Sequence, residues 1–131
     1  MTAAAKDLLI EQGASFTFGF QWCHAGVDPQ TPGDPYDLTG CTARMQIRKS
    51  QKSEALLDAK SDGEAPKIIL GGATGRIDVY LTDQDTDVLI AKTALYDLEV
   101  VLLDGTVVRL LKGTVNVDPN ITQDTEDPVV T

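Results

Sequence analysis

The chain has 131 residues, of which 42% are hydrophobic and 24% charged, so we expect one domain with a real core. Its formal net charge of −9 at pH 7 disfavours a nucleic-acid partner, because affinity for phosphates depends on Lys and Arg. No apolar run approaches the roughly 18 residues of a membrane span. The two cysteines, Cys23 and Cys41, do not have the spacing of metal ligands. We therefore expect no metal and no cofactor, and the lack of a long apolar run argues against a membrane partner.

The first strong pattern covers residues 14–22, where Phe16, Phe18, Phe20 and Trp22 alternate with small or polar residues. A period of two is typical of a strand with one buried face. This segment holds every phenylalanine and the only tryptophan of the chain, so it predicts a core strand. A shorter strand is predicted just before it, at residues 7–10.

Residues 24–40 contain three prolines and three glycines and predict a long, exposed loop, because proline removes backbone donors from a strand. Such loops often carry contacts to partners. The candidate contact loop consists of Asp28, Pro29, Pro32, Asp34, Pro35 and Tyr36.

Further strands are predicted at residues 42–48 and 76–81 from the same alternation, and short strands at residues 55–58 and 67–70. The basic cluster of Arg44, Arg48, Lys49 and Lys52 is interpreted as a solvated strand face that runs into a loop, in preference to a polyanion site.

One helix is predicted after these strands. Thr82 and Asp85 have the spacing of a capping box, and three aspartates suit a helix N-terminus. The helix is expected to continue through Ala91, for two to three turns.

A hairpin is predicted where residues 96–103 and 107–117 flank Asp104-Gly105, a favoured two-residue turn. In that register Leu98 faces Leu111 and Asp97 lies beside Lys112. In the same register a second set of apolar side chains points away from the core, which predicts a contact between subunits. A three-residue loop would instead shift the register and exchange some of these faces. The candidate oligomer interface consists of Val101, Val108 and Leu110.

Residues 118–131 contain two prolines, four acidic residues and no Lys or Arg, and predict an extended or disordered acidic arm. The arm would follow a domain over residues 1–117. Seven or eight short strands with one short helix predict an all-β fold, an antiparallel β-sandwich or barrel.

No residue pattern indicates catalysis. His24, the only histidine, has no nucleophile or orienting acid at a suitable position, and Asp83, Asp85 and Asp87 lack the glycine and glutamate of a calcium loop. We therefore expect a protein that is not an enzyme and has no catalytic, cofactor or metal site.

Three stretches resemble small virion proteins of tailed phages: residues 37–48, residues 96–113 with their hairpin, and residues 117–122. The layout of residues 6–122 also resembles the N-terminal immunoglobulin-like domain of siphophage upper baseplate proteins. The resemblance implies an immunoglobulin-like β-sandwich that attaches to a multimeric part of the particle. It further implies a virion location after synthesis in the host bacterial cytoplasm, with copies of itself and other virion proteins as partners.

The main hypothesis is therefore a structural component of a tailed-phage virion, in the tail, baseplate, neck or collar, or on the capsid. One alternative is a receptor- or carbohydrate-binding module at the tail tip, which would need exposed aromatics such as Tyr36 and Tyr80. Another alternative is an assembly chaperone, which would be absent from the mature particle.

Overall fold

The computed structural model describes residues 3–24, 26, 33–90 and 92–119. Over these residues the chain forms short strands, one 3₁₀ turn at Gly72–Thr74 and one helix, α1, at Asp83–Asp87. The strands are β1 (Ala4–Ala5), β2 (Leu8–Glu11), β3 (Phe16–Gln21), β4 (Thr42–Arg48), β5 (Ala55–Lys60), β6 (Ile68–Leu70), β7 (Arg76–Leu81), β8 (Thr93–Val101) and β9 (Val107–Asp118).

The strands form two sheets. In the large sheet the order is β1-β9-β8-β4-β5, with β2 also paired to β9, and in the small sheet the order is β3-β7-β6. In immunoglobulin nomenclature these strand orders correspond to A′GFCC′ and BED. The predicted immunoglobulin-like β-sandwich with one short helix is confirmed. It departs from a purely antiparallel sandwich only at β1 and β2, which run parallel to β9.

The core lies between the two sheets and is built from alternate residues of each strand. Buried and exposed positions alternate along β4, β7 and β8, as the period of two predicts. The fully buried side chains at its centre are Ile10, Leu38, Met45, Ile47, Ile68, Ile77, Leu89, Leu98, Val79, Val100, Val115 and Thr86.

The phenylalanines of β3 pack against this core but stay half-buried. Phe18 is paired with Val79 and Phe20 with Ile77, both buried, so the predicted inward face is confirmed. β3 lies at the edge of the small sheet, and no strand of the described part of the chain covers its far side. Trp22, just beyond the strand, is buried.

Helix α1 begins with the predicted capping box. Asp85 N donates to Thr82 Oγ1 at 3.1 Å, and Thr82 N donates to Asp85 Oδ2 at 2.8 Å. The helix ends at Asp87, so the prediction of two to three turns is wrong; beyond it Leu89 N donates to Thr86 O and Ile90 N to Val88 O, which are tighter turns than those of an α-helix. The buried Thr86 hydroxyl donates to Ala14 O at 2.8 Å and so fastens the helix to the segment before β3.

Tyr96 holds the N-terminal strand against the large sheet. Its buried hydroxyl donates to Lys6 O at 2.6 Å. Gly113 makes this approach feasible, because a Cβ there would lie 2.2 Å from Lys6 O. The next residue, Asp7, is anchored as well, because its Oδ1 accepts a hydrogen bond from Thr114 N at 3.0 Å. This hydrogen bond lowers the Asp7 pKa.

Replacing Tyr96 with Phe should lower the free energy of unfolding by about 1–2 kcal/mol, because the Lys6 carbonyl loses its donor. Urea denaturation followed by circular dichroism measures this loss. Tyr80→Phe is the matched control, since Tyr80 is 50% exposed and should change stability by less than about 0.5 kcal/mol. Equal losses in both variants would contradict the role of the Tyr96 hydroxyl.

Tyr96 should also make stability fall at alkaline pH. Burial raises its pKa from 10.0 to about 12, with a smaller contribution from the nearby Asp7 carboxylate. The folded state therefore keeps the proton longer than the unfolded state does. The contribution of the protonated Tyr96 hydroxyl to the free energy of unfolding is complete below about pH 10 and is lost as the pH rises towards about 12. Over that range wild-type stability should fall more steeply than that of Tyr96→Phe; parallel curves would contradict the prediction.

Candidate docking surfaces

The β8–β9 hairpin has a loop of three residues rather than the predicted two. Gly105 N donates to Leu102 O at 2.9 Å, and Leu102 N donates to Thr106 O at 2.8 Å. Gly105 has a φ of +89°, the left-handed conformation that follows a type I turn in three-residue hairpins. The prediction of a two-residue turn is wrong. The dipeptide Asp104-Gly105 is compatible with both two-residue and three-residue hairpin loops, so it does not distinguish them.

The longer loop shifts the pairing near its tip, so that Val100 pairs with Val108. A bulge at Leu110 then restores the predicted register, and Leu98 faces Leu111. Leu110 is buried and Val108 packs against the core, so the predicted outward patch of Val101, Val108 and Leu110 is wrong. Only Val101 of the three faces outward, beside Val107.

Half of the predicted contact loop can be placed. Asp28, Pro29 and Pro32 lie outside the described residues. Asp34 and Pro35 are exposed, and Tyr36 is half-buried. The loop has a paired base: Tyr36 N donates to Trp22 O, His24 N to Asp34 O and Gly33 N to His24 O, at 2.8–2.9 Å.

Three aromatic rings stack across this base. The Tyr36 ring lies between Trp22, at a centroid distance of 3.8 Å, and His24, at 3.7 Å, with interplanar angles of 13° and 21°. Both faces of the Tyr36 ring are therefore covered by the chain itself. A sugar that stacks on an aromatic ring needs an open face, so Tyr36 does not offer one, whereas the half-exposed Tyr80 does. No pattern of alternation could have indicated this stack, because its rings come from the two ends of a loop.

The outer face of the large sheet carries rows of charged side chains. The register aligns Lys112 with Asp97 and Gln46, and Arg109 with Glu99 and Arg44. Arg44 forms an ion pair with Asp58 at 2.7 Å, and Arg109 forms one with Asp97 at 3.2 Å. The Arg44 guanidinium lowers the pKa of Asp58, against the opposing effect of its partial burial.

A depression of about 600 Å³ lies on this face. The residues that line it include Arg48, Leu95, Asp97, Arg109, Lys112 and Thr114. Arg48 is held in place by Gln46 Oε1, at 2.6 Å, and by the Ser53 carbonyl. We call the outward side chains of β4, β5, β8 and β9 the basic face, because Lys and Arg outnumber Asp and Glu there.

The free edge of β3 is a second surface. β7 pairs with one side of β3, and no strand among the described residues pairs with the other. Trp22 N donates to Gly75 O, which places the backbone groups of alternate residues, Thr17 among them, on the open side. At Gly19 a Cβ would lie 1.8 Å from the Asp78 carboxylate, whose ion pair with Arg76 crosses the strand there.

Within the described residues, no helix is long and apolar enough to cross a membrane. In the same part of the chain, no group of three or more His, Cys, Asp or Glu is placed to hold a metal ion.

No protein-family model matches the sequence, and no curated protein is significantly similar to it. Among solved structures, the chain is similar to one from a photo-crosslinking study of multimeric cell-adhesive interactions of VGSC beta subunits. The two are 15% identical with a TM-score of 0.45, and the match covers 90% of this chain and 93% of that one. A likeness this distant says nothing about activity or partners.

Replacing Tyr36 with Leu should lower the free energy of unfolding by about 1–3 kcal/mol, because two ring contacts are lost and only part of the volume is refilled. Near-ultraviolet circular dichroism should also lose the signal of the stacked Trp22. Tyr80→Leu is the control, since the Tyr80 ring is half-exposed and belongs to no aromatic pair among the described residues. An unchanged Trp22 signal in Tyr36→Leu would contradict the stack.

Proposed function

We propose that this chain is a structural component of a tailed-phage virion and is not an enzyme. It acts by docking to copies of itself and to neighbouring virion proteins. The phage context rests on the resemblance of residues 37–48, 96–113 and 117–122 to small virion proteins. The docking role rests on one observation, the unprotected edge of β3.

The β3 edge lacks the features that usually keep sheet edges apart. Proteins protect edges with charges, prolines, bulges or very short strands. β3 has six residues and contains no charged residue and no proline. In contrast, β5 carries Asp58 and Lys60, and β6 has only three residues. An unprotected edge of this length suits the addition of a strand from a neighbouring protein.

The half-buried phenylalanines add a hydrophobic component to such docking. Phe16, Phe18 and Phe20 pack on the core from one side only. A strand added along the edge would cover their exposed sides while its backbone satisfied the open donors and acceptors of β3. Burial of each additional 40 Å² of apolar surface contributes about 1 kcal/mol, so this edge can supply both affinity and register.

Two other functions receive less support. A carbohydrate binder at the tail tip would need open aromatic faces; the ring of Tyr36 is covered on both sides, which leaves Tyr80 alone of the two candidate aromatics. An assembly chaperone would use the same β3 edge but would leave the finished particle. The position on the particle, in tail, baseplate, neck or collar, or on the capsid, follows from the resemblance and not from the edge.

Charges on the β3 edge should prevent the chain from entering particles. Ser15→Lys with Thr17→Lys adds two cations at exposed positions beside the open edge, and lysine on an edge strand is one of the features that keep sheets from pairing. Particles assembled with this variant should contain at least about tenfold less of the chain by quantitative mass spectrometry, since a charged edge disfavours the addition of a strand.

The matched control is Thr106→Lys with Asn116→Lys, which places two lysines at exposed positions of β9 and its hairpin. It should enter particles as the wild type does. Urea denaturation must show that both variants fold. A wild-type chain absent from purified particles would overturn the virion role and support the chaperone, and equal incorporation of both variants would overturn the use of this edge.

A further inference from the structure

We propose that the basic face of the large sheet is the docking site of the chain's own acidic segment, residues 120–131. This segment contains Asp124, Glu126 and Asp127 and no Lys or Arg. The binding site is centred on the depression lined by Arg48, Arg109 and Lys112. The contact does not depend on the virion role and forms in the isolated protein.

The basic face stands out because the rest of the chain is acidic. The chain has a net charge of −9, yet most of its Lys and Arg lie on this face or on the turn between β4 and β5. These residues are Arg44, Arg48, Lys49, Lys52, Lys60, Arg109 and Lys112. Elsewhere Lys67 and Arg76 already have partners, with Asp85 at 2.8 Å and Asp78 at 2.6 Å.

The face also has positive charge that its own carboxylates do not neutralise. Asp58 and Asp97 are engaged by Arg44 and Arg109, and Glu99 lies opposite these same two arginines. Lys112, at the rim of the depression, forms no ion pair with any described residue. Arg48 donates to an amide oxygen and a backbone carbonyl rather than to a carboxylate. An anionic ligand therefore finds cations here that are not already paired.

The acidic segment is attached close to this site. β9 ends at Asp118, and its own Lys112 and Thr114 line the depression. Thr114 lies about 13 Å from Asp118 at about 3.3 Å per strand residue. The residues after Asp118 are numerous enough to turn back, span this distance and place Asp124, Glu126 and Asp127 over the face.

Attachment also compensates for the weakness of each contact. A single exposed ion pair contributes only about 0–1 kcal/mol. A short tether, however, gives the segment an effective concentration of about 1 mM at the face, which makes a set of weak ion pairs sufficient. The contact should be sensitive to salt, because the Debye length falls from about 10 Å at 0.1 M to about 3 Å at 1 M.

Zero-length carbodiimide cross-linking of the full chain tests the contact. Amide links should join Lys112, Lys49 or Lys52 to Asp124, Glu126 or Asp127, as mapped by mass spectrometry. The links should fall at least about tenfold in 1 M salt, where the Debye length is about 3 Å. In an equal mixture of ¹⁴N- and ¹⁵N-labelled protein, the two peptides of each cross-link should carry the same isotope, because the contact forms within one molecule. Links at Lys67 and Lys92 as frequent as those at the face, or links only between isotopes, would overturn the proposal.

A second measurement uses variants that leave the folded domain intact. Neutralising the segment with Asp124→Asn, Glu126→Gln and Asp127→Asn should shift the amide resonances of Lys112, Thr114 and Asp97 and leave those of β3 in place. Glu64→Gln with Asp83→Asn, which removes two exposed acids that lie outside the basic face, is the matched control and should leave the face unchanged. Amides of the face that do not move in the segment variant would overturn the contact.

Discussion

The structure depends on the burial of alternate side chains of β4, β7 and β8 between the two sheets. Because successive strand residues point to opposite faces, a slip of one residue would expose one buried row and bury charges. The β8–β9 hairpin shows how this constraint is met. Its three-residue loop shifts the pairing by one position, and the bulge at Leu110 shifts it back, so that Leu98 meets Leu111 in the core.

The position of the N-terminal strand links this packing to function. Tyr96, Gly113 and Asp7 hold residues 4–11 on the large sheet, parallel to β9. The same segment cannot then cover the far side of β3, although it precedes β3 directly in the chain. The open edge and the half-buried phenylalanines are therefore consequences of how the first strand is anchored.

The two candidate surfaces act through different physics. The β3 edge offers backbone hydrogen bonds and apolar contacts, which salt weakens little. The basic face offers unpaired cations on an acidic protein, which attract anions at low ionic strength and lose most of that attraction at high salt. A neighbour docked on the β3 edge and an acidic segment docked on the basic face occupy opposite sheets and would not compete.

The sequence by itself determined the all-β class, most strands, the capping box at Thr82 and the exposure of Asp34 and Pro35 in the loop. These features follow from local alternation, proline and glycine content and short-range capping, which one stretch of chain can specify. Only the tertiary structure decided the hairpin register, the burial of Leu110, the stack of Tyr36 between Trp22 and His24, and the open edge of β3. Each of these depends on which distant segments pair, and periodicity carries no record of the partner strand.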